Sequence, residues 1–256
     1  MNIVAIVQAR MGSSRLPGKV MADIAGRPML ARVVERVRRA KTIRLVAVAT
    51  SLHSSDDPIA DLCRRENIAF FRGSDDDVLD RFYRAAKVFH ADVIVRLTAD
   101  CPLHDPAVMD ETVNALLEGD ADFVSGGMKT TFPDGLDAAA FPMSVLERMW
   151  KEASLTSDRE HVTSYIHRHA EQFRMKTIRC DRDLSFLRWT VDEPRDLEFV
   201  RAIYAHLGEA SFGMQEVLDL LKRCPELNEI NAGIHRNEGY AKSLMAESLP
   251  GGKGGQ

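Results

Sequence analysis

Residues 3–19 read IVAIVQARMGSSRLPGK, and this stretch determines how the rest of the chain is interpreted. Its first five residues are apolar, as in a strand that is buried on both faces of a parallel sheet. The next twelve, residues 8–19, contain Arg10, Arg15 and Lys19 with two glycines and two serines, and no acid. Small residues let backbone N–H groups approach a ligand, and the cations would neutralise an anion. We therefore predict a phosphate-binding loop after the first strand, rather than a solvated surface turn.

Further apolar runs follow the loop, at residues 45–49, 68–71, 93–97 and 122–125. The segments between them show the helical spacing of apolar residues. Strands and helices that alternate with short connections predict an α/β, Rossmann-like domain with a mostly parallel central sheet and helices on both faces. Ligands of such sheets bind beyond the carboxyl ends of the strands. We therefore expect the loop, Thr50 and Asp100 to share one edge of the sheet.

The pattern changes after about residue 126. We expect a small extended excursion over 130–141, with a tight turn at Asp134-Gly135. Ser157 and Glu160 form a capping box that predicts a helix over 161–169. The remaining elements predicted are strands at 173–178 and 187–191 and helices at 144–153, 194–206 and 214–223. The expected organisation is a single domain, residues 1–245, with a flexible tail at 246–256.

Composition excludes several classes of protein. The 256-residue chain has a net charge of −4, which argues against a nucleic-acid partner because no excess of basic residues could meet a phosphate backbone. No apolar run approaches the roughly 20 residues that cross a bilayer, so we expect no membrane association. The four cysteines form no CxxC pair, so neither a disulfide framework nor a zinc site is expected. The predicted location is the reducing cytoplasm.

The loop at residues 8–19 matches neither the Walker A motif nor the Gly-x-Gly-x-x-Gly fingerprint. It resembles the signature loop of nucleotide-sugar pyrophosphorylases and cytidylyltransferases. The form QARMGSSRLPGK is very close to that of the SpsF-like cytidylyltransferases of spore-coat and surface polysaccharide synthesis, relatives of the CMP-Kdo and CMP-sialic acid synthetases. The resemblance covers residues 1–205. It implies a nucleotidyltransferase that uses Mg²⁺ and makes a CMP-activated, acidic sugar and pyrophosphate from CTP and a free sugar. It also implies a homodimer.

Two aspartates follow predicted strands in a similar way. Asp100 lies in the segment TADCP and Asp192 in the segment TVDEP. Two carboxylates at strand ends near a phosphate loop suit Mg²⁺, which takes one or two carboxylates together with substrate phosphates and waters. The alternative is that each aspartate only caps a turn. The resemblance places the metal ligands of the family at these same two positions.

The resemblance also implies how the nucleotide is held. Arg10, Arg15 and Lys19 would bind the triphosphate and stabilise the leaving pyrophosphate, and are the predicted catalytic residues. No general base is evident. The other residues expected to contact the nucleotide, by position near the first strands, are Gln8, Ala9, Gly12, Ser13, Ser14, Thr50, Arg81 and Thr98.

Two segments resemble the sugar side of the family's site. FPDGLD, residues 132–137, implies Asp134, Gly135 and Asp137 as sugar-binding residues, and SDREHVT, residues 157–163, implies Arg159 and His161. The sequence departs from the family pattern at Ala139, because a glutamate usually stands two residues after the aspartate of the first segment. This departure leaves the acceptor sugar open.

Two other functions remain open from the sequence alone. A glycosyltransferase that uses a nucleotide sugar would share a similar sheet and an Asp-x-Asp metal site, and residues 75–77 and 120–122 match that pattern. Neither lies at the carboxyl end of a predicted strand. A non-catalytic nucleotide-binding subunit of a polysaccharide pathway is the second alternative, and Ala139 is its only support.

Overall fold

The computed structural model describes residues 1–127, 129–208 and 211–234. A seven-stranded sheet runs through the middle of the described chain in the order β5-β4-β1-β6-β8-β7-β9, and β2 and β3 form a separate small hairpin. The strands are β1 (Ile3–Gln8), β2 (Asp23–Ile24), β3 (Arg27–Pro28), β4 (Leu45–Ser51), β5 (Ala69–Gly73), β6 (Val93–Thr98), β7 (Phe123–Ser125), β8 (Ala139–Pro142) and β9 (Met175–Thr177). The helices are α1 (Met29–Val37), α2 (Asp57–Arg65), α3 (Val78–Val88), α4 (Pro106–Leu117), α5 (Met143–Glu152), α6 (Thr156–His161), α7 (Ser164–Arg168), α8 (Pro194–Leu207) and α9 (Met214–Arg223).

The sheet is mostly parallel, as predicted. Strand β1 pairs in parallel with both β4 and β6, and only β8 runs antiparallel to its neighbours. Gln8 at the end of β1 pairs with Ala49 on one side and Thr98 on the other. The carboxyl ends of the three central strands therefore lie side by side at one edge, where the loop that follows β1 begins.

Alternating side chains of the central strands point into two separate hydrophobic clusters, one on each face of the sheet. Ala5 and Val7 of β1 belong to the cluster that packs under α1, α2, α4, α8 and α9. Val4 and Ile6 belong to the cluster that packs under α3, α5 and α7. Helices cover both faces, which confirms the predicted α/β layering.

Two of the predicted elements differ from the structure. Residues 187–191 are extended and largely buried, but they contribute only an isolated bridge between Asp134 and Arg188 instead of a strand. The helix predicted over 161–169 is interrupted at Val162, whose φ of 56° lies in the left-handed region, so the chain forms α6 and α7 instead. Ser157 and Glu160 consequently lie inside α6 rather than at a helix start.

The predicted flexible tail, residues 246–256, lies outside the described residues, and the boundary at 245 stays a prediction. Within the described residues, no helix is both long enough and apolar enough to span a bilayer.

Candidate active site

The loop after β1 folds back on itself and returns Lys19 to the end of the strand. The N–H of Gly18 donates to the carbonyl of Met11 at 2.9 Å, and the N–H of Lys19 donates to the carbonyl of Leu16 at 3.2 Å. Gly18 has a φ of 72°, a left-handed conformation that glycine adopts without strain. The Asp56 carboxylate fixes the base of the loop, since it accepts the N–H of Met11 at 2.7 Å.

Lys19 lies between the two predicted metal ligands. Its Nζ is 2.9 Å from Asp100 Oδ2 and 2.9 Å from Asp192 Oδ1, and it also donates to the carbonyl of Val191 at 2.7 Å. Lys19 is only 8% exposed. The fold therefore brings three segments that are far apart in the sequence to one point at the carboxyl edge of the sheet.

Asp192 reaches this point although residues 187–191 form no strand. The N–H of Val191 donates to the carbonyl of Asp100 at 2.7 Å, and the Thr190 hydroxyl donates to the same carbonyl at 3.3 Å. These bonds attach the segment before Asp192 directly to the loop after β6. The two aspartates are neighbours because Val191, the residue before Asp192, is hydrogen-bonded to the backbone of Asp100.

Arg188 orients the Asp192 carboxylate, a role that the sequence did not suggest. Its guanidinium donates to Asp192 Oδ2 at 3.1 Å, to Asp134 Oδ2 at 3.0 Å, and to both oxygens of Asp196 at 2.9 and 3.0 Å. Burial lowers the pKa of Arg188, but Asp196 and the other two carboxylates raise it further, so the net shift is upward. The cation remains charged and holds three acids in fixed positions.

The charges at Lys19 and Asp100 are mutually dependent. Burial would lower the pKa of the Lys19 ammonium, but the carboxylates of Asp100 and Asp192 raise it above its ordinary value. Burial would raise the pKa of the Asp100 carboxyl, but Lys19 holds it well below its ordinary value. Both groups are therefore ionised at neutral pH.

The donor set fits a magnesium ion whose other ligands come from substrate. Asp100 and Asp192 each place an oxygen on the same Lys19 nitrogen, so their carboxylates converge on one point. Mg²⁺ binds hard oxygen ligands and commonly takes one or two carboxylates with substrate phosphates. Among residues 1–127, 129–208 and 211–234, no group of three or more His, Cys, Asp or Glu side chains is arranged to hold a metal. The phosphates of a substrate would supply the missing oxygens.

A cavity of about 250 Å³ opens above this cluster. The loop forms one wall, and Arg15 contributes a cation that is 3.0 Å from Asp192 Oδ2. Arg10 is exposed and also faces the cavity. The walls further include six of the residues predicted to contact the nucleotide, namely Gln8, Ala9, Gly12, Ser13, Ser14 and Thr98. The cations and small loop residues of this cavity are suited to an anion with several phosphate groups.

A family model described as Cytidylyltransferase matches residues 4–229 of the chain. The chain belongs to the cytidylyltransferase family. It is 31% identical to the spore coat polysaccharide biosynthesis protein SpsF of Bacillus subtilis, over 88% of this chain and 96% of that protein. It is 33% identical to the 3-deoxy-manno-octulosonate cytidylyltransferase of Geobacter sulfurreducens, over 66% of this chain and 76% of that protein. A solved cytidylyltransferase from Leptospira borgpetersenii is 31% identical, with a TM-score of 0.87 over 92% of this chain and all of that one. The protein is thus a nucleotidyltransferase that uses CTP.

Two of the predicted nucleotide contacts of this cytidylyltransferase do not line the cavity. Thr50 is fully buried, and its hydroxyl donates to Asp56 Oδ2 at 3.2 Å, so it supports the loop from behind. Arg81 is fully buried on α3, where it donates to the carbonyl of Ser74 at 2.7 Å. Both side chains pack behind the edge of the sheet. Neither lies where it could contact a nucleotide in the cavity.

A second cavity of about 430 Å³ adjoins the first and shares Asp100 and Asp192 with it. Three of the predicted sugar-binding residues line it, namely Asp134, Asp137 and His161. Gly135 and Arg159 do not. Gly135 packs its backbone against Thr190. Arg159 is turned toward α3, where its Nε donates to both oxygens of Asp77 at 3.0 Å. These two residues shape the fold around the cavity and do not face it.

The two Asp-x-Asp sequences of this cytidylyltransferase lie away from both cavities. Asp77 caps α3 by accepting the N–H of Asp80 at 2.8 Å and is paired with Arg159. Asp122 is paired with Arg174 at 2.7 Å. Local structure accounts for these acids, and the geometry gives no support to a glycosyltransferase.

Proposed function

We propose that this cytidylyltransferase joins CTP to a free, acidic sugar, releasing pyrophosphate and a CMP-activated sugar for surface or spore-coat polysaccharide. The observation that carries the proposal is the position of Lys19 between Asp100 and Asp192 at the edge where the phosphate loop begins. The substrate class in the names of the similar proteins from Geobacter and Bacillus supports the choice of acceptor and pathway.

Asp100 and Asp192 would hold Mg²⁺, which would neutralise the triphosphate and polarise its α-phosphate. Lys19, Arg15 and Arg10 would bind the phosphate oxygens and stabilise the charge that grows on the departing pyrophosphate. A hydroxyl of the sugar, held in the second cavity, would attack the α-phosphorus in line. Phosphoryl transfer of this kind depends on positioning and neutralisation more than on covalent catalysis. Arg188 contributes by keeping the Asp192 carboxylate directed at the cluster.

The residues near the end of β1 would read the pyrimidine. Gln8 lines both cavities, and its side-chain oxygen is buried without a hydrogen-bond partner among the described residues. Thr98 lies beside it on β6 and also faces both cavities. An amide oxygen that lacks a partner in the protein is suited to the polar edge of a base, and the Thr98 hydroxyl lies beside it, 3.4 Å from Cys101 Sγ.

A pyrophosphate-release screen tests the proposal. CTP, UTP and purine triphosphates would each be combined with Mg²⁺ and a panel of acidic and neutral sugars. We expect pyrophosphate only with CTP, Mg²⁺ and an acidic sugar. Release of a nucleoside mono- or diphosphate from a sugar donor would instead support a glycosyltransferase. CTP binding without turnover for any acceptor would support the other alternative, a non-catalytic nucleotide-binding subunit, for which Ala139 is the only support. The predicted homodimer and cytoplasmic location stay predictions.

A further inference from the structure

Arg96 is an arginine within the central sheet that the proposed chemistry does not use. It is the fourth residue of β6, paired with Ile6 of β1 on one side and with Ala139 of β8 on the other. Its side chain lines the second cavity. The Nε atom is buried and has no hydrogen-bond partner, and the described part of the chain provides no ion pair for the guanidinium. Arg96 is half-buried. Desolvating part of a cation without giving it a partner is costly, so its presence at the cavity needs an explanation.

The two acids whose charges act on Arg96, Asp100 and Asp137, have other hydrogen-bond partners. Asp100 accepts from Lys19, and Asp137 accepts the backbone N–H of Gly135 at 3.2 Å. Burial lowers the pKa of the Arg96 guanidinium, and Asp100 and Asp137 only partly offset this effect. His167 also lines the cavity, and its pKa is lowered by burial and by the charge of Arg96, so its ring is neutral. The guanidinium therefore retains unused hydrogen-bonding capacity beside a neutral ring.

Ala139 lies directly across from Arg96 on the antiparallel strand β8, and it also lines the cavity. Side chains that face each other across antiparallel strands have Cβ atoms about 4.5–5.5 Å apart. A glutamate at position 139 could therefore pair with Arg96, and the alanine there cannot. Alanine removes that carboxylate and leaves open space in front of the guanidinium.

We infer that Arg96 binds the carboxylate of the acceptor sugar, in the space that Ala139 leaves open. The inference rests on the proposed function, and it names the residue that selects an acidic acceptor. A guanidinium can donate two parallel hydrogen bonds to one carboxylate, which fixes the orientation of the acid as well as its charge. The ligand then supplies the partner that the protein lacks.

Calorimetry can test this without turnover. Glucuronate, N-acetylneuraminate and 3-deoxy-manno-octulosonate, each beside its uncharged methyl ester, would be titrated into enzyme that contains CTP and EDTA. We expect at least one acid to bind wild type more tightly than its ester does. Arg96→Met should weaken binding of that acid by about tenfold to a hundredfold, in line with hydrogen bonds to charged groups. The exposed Arg44→Met is the control and should bind it as wild type does.

A comparison of Ala139→Glu with Ala139→Gln provides a second test, which can be carried out even if Arg96→Met does not fold. The two side chains have the same shape, but only glutamate can neutralise Arg96. We expect Ala139→Glu to bind the acid about tenfold more weakly than Ala139→Gln and to have a higher melting temperature. Arg96→Met should melt no lower than wild type, whereas a purely structural arginine would lower the melting temperature when removed.

Two results would overturn the inference: no acid preferred to its ester by wild type, or an acid bound equally by wild type and Arg96→Met. Pyrophosphate release decides separately on the proposed function. Acid binding through Arg96 without pyrophosphate from CTP would leave the inference standing and reject the transfer. Pyrophosphate formed with a neutral sugar, at equal rates in wild type and Arg96→Met, would support the transfer and reject the role of Arg96.

Discussion

Lys19 connects the loop after β1, the end of β6 and the segment before α8. Without substrate its ammonium neutralises Asp100 and Asp192. We propose that Asp100 and Asp192 would hold the metal that accompanies a bound triphosphate, and that Lys19 would then donate to the phosphates. A lysine is suited to this exchange because its charge is compact and its stem is flexible.

Replacing Lys19 with alanine removes a cation from the proposed triphosphate site, where charge would develop on the leaving pyrophosphate. We expect kcat for pyrophosphate release to fall by about a hundredfold or more, as when one preorganised charge-stabilising group is lost. The circular dichroism spectrum should be unchanged. Lys87→Ala, on the exposed side of α3, is the matched control and should keep wild-type kinetics. A normal kcat for Lys19→Ala would refute its assigned role.

The Lys19–Asp100 pair also predicts how stability depends on pH. The pKa of Asp100 is lowered by Lys19, so its stabilising contribution is present above the ordinary carboxyl pKa of about 4 and is lost as the pH falls through the lower value. The pKa of Lys19 is raised, so its contribution persists up to its ordinary pKa of about 10.4 and is lost as the pH rises beyond it.

The free energy of unfolding of wild type minus that of Asp100→Asn should therefore be constant between about pH 5 and 9 and should fall as the pH drops below about 4. Urea denaturation across this range provides the measurement. A difference that declines steadily between pH 5 and 8 would show that the Asp100 carboxyl titrates near neutrality, contrary to the geometry.

At the scale of elements, the start of α8 orients one of the two carboxylates. Asp196 lies in the first turn of α8, where it accepts the backbone N–H groups of Asp192 and Glu193 at 2.9 and 3.0 Å. Its carboxylate also accepts hydrogen bonds from Nε and Nη2 of Arg188. The helix terminus thus fixes the backbone and, through Arg188, the side chain of Asp192. This arrangement makes Arg188 a positioning residue for the proposed metal site.

Arg188→Met should leave Asp192 less well oriented and should expose it to repulsion from Asp134 and Asp196. We expect the Mg²⁺ concentration for half-maximal activity to rise by about tenfold, and high Mg²⁺ to restore part of kcat, as for changes behind a metal ligand. The measurement is a Mg²⁺ titration of pyrophosphate release. A lower kcat with an unchanged Mg²⁺ curve would indicate a structural role only.

The turn at Gly135 holds Asp134 beside Arg188. Gly135 has a φ of 109°, and a Cβ there would lie 2.6 Å from the backbone nitrogen of Thr190 and 2.7 Å from the carbonyl carbon of Trp189. Neither backbone atom can move without displacing the segment that ends at Asp192. The turn at Gly135 and the segment that ends at Asp192 therefore form one packed unit.

We expect Gly135→Ala to lower the free energy of unfolding by roughly 3–4 kcal/mol, since it combines left-handed strain with a backbone clash. Gly119→Ala is the matched control, because Gly119 has a φ of 85° but a Cβ at that position would meet no atom within 4 Å. That variant should lose only about 1–2 kcal/mol from strain. Equal losses in the two variants, measured by urea denaturation, would contradict the packing described here.

At the scale of the whole molecule, apolar runs and their spacing were sufficient to predict the sheet, its layers and the edge that carries the site. The position of Lys19 and Asp100 at one edge follows from the sheet, because the carboxyl ends of neighbouring parallel strands lie at the same edge. Residues 187–191 were predicted as a strand because their apolar pattern reports burial, and burial does not require a neighbouring strand. Thr50 lies at the predicted edge, but its hydroxyl is hydrogen-bonded to Asp56. No local sequence pattern reveals this contact.

Arg96 and Arg188 show what the sequence could not provide. Each is a single arginine in an apolar or mixed segment, and its meaning depends on partners that the fold supplies or withholds. Arg188 meets three carboxylates, of which Asp134 is 54 positions away. Arg96 faces Ala139, which lies on a strand that joins the sheet after a long excursion. Such pairings depend on non-local topology and become visible only with the structure.

We propose that Lys19, Asp100 and Asp192 surround one metal-bound triphosphate. A crystal structure of the enzyme with CTP and Mn²⁺, with the metal located by anomalous scattering, tests it most directly. We predict an Mn²⁺ ion bound by oxygens of Asp100, Asp192 and the triphosphate, with Lys19 Nζ on a phosphate oxygen. A triphosphate bound elsewhere, or an Mn²⁺ ion that contacts neither aspartate, would contradict the account.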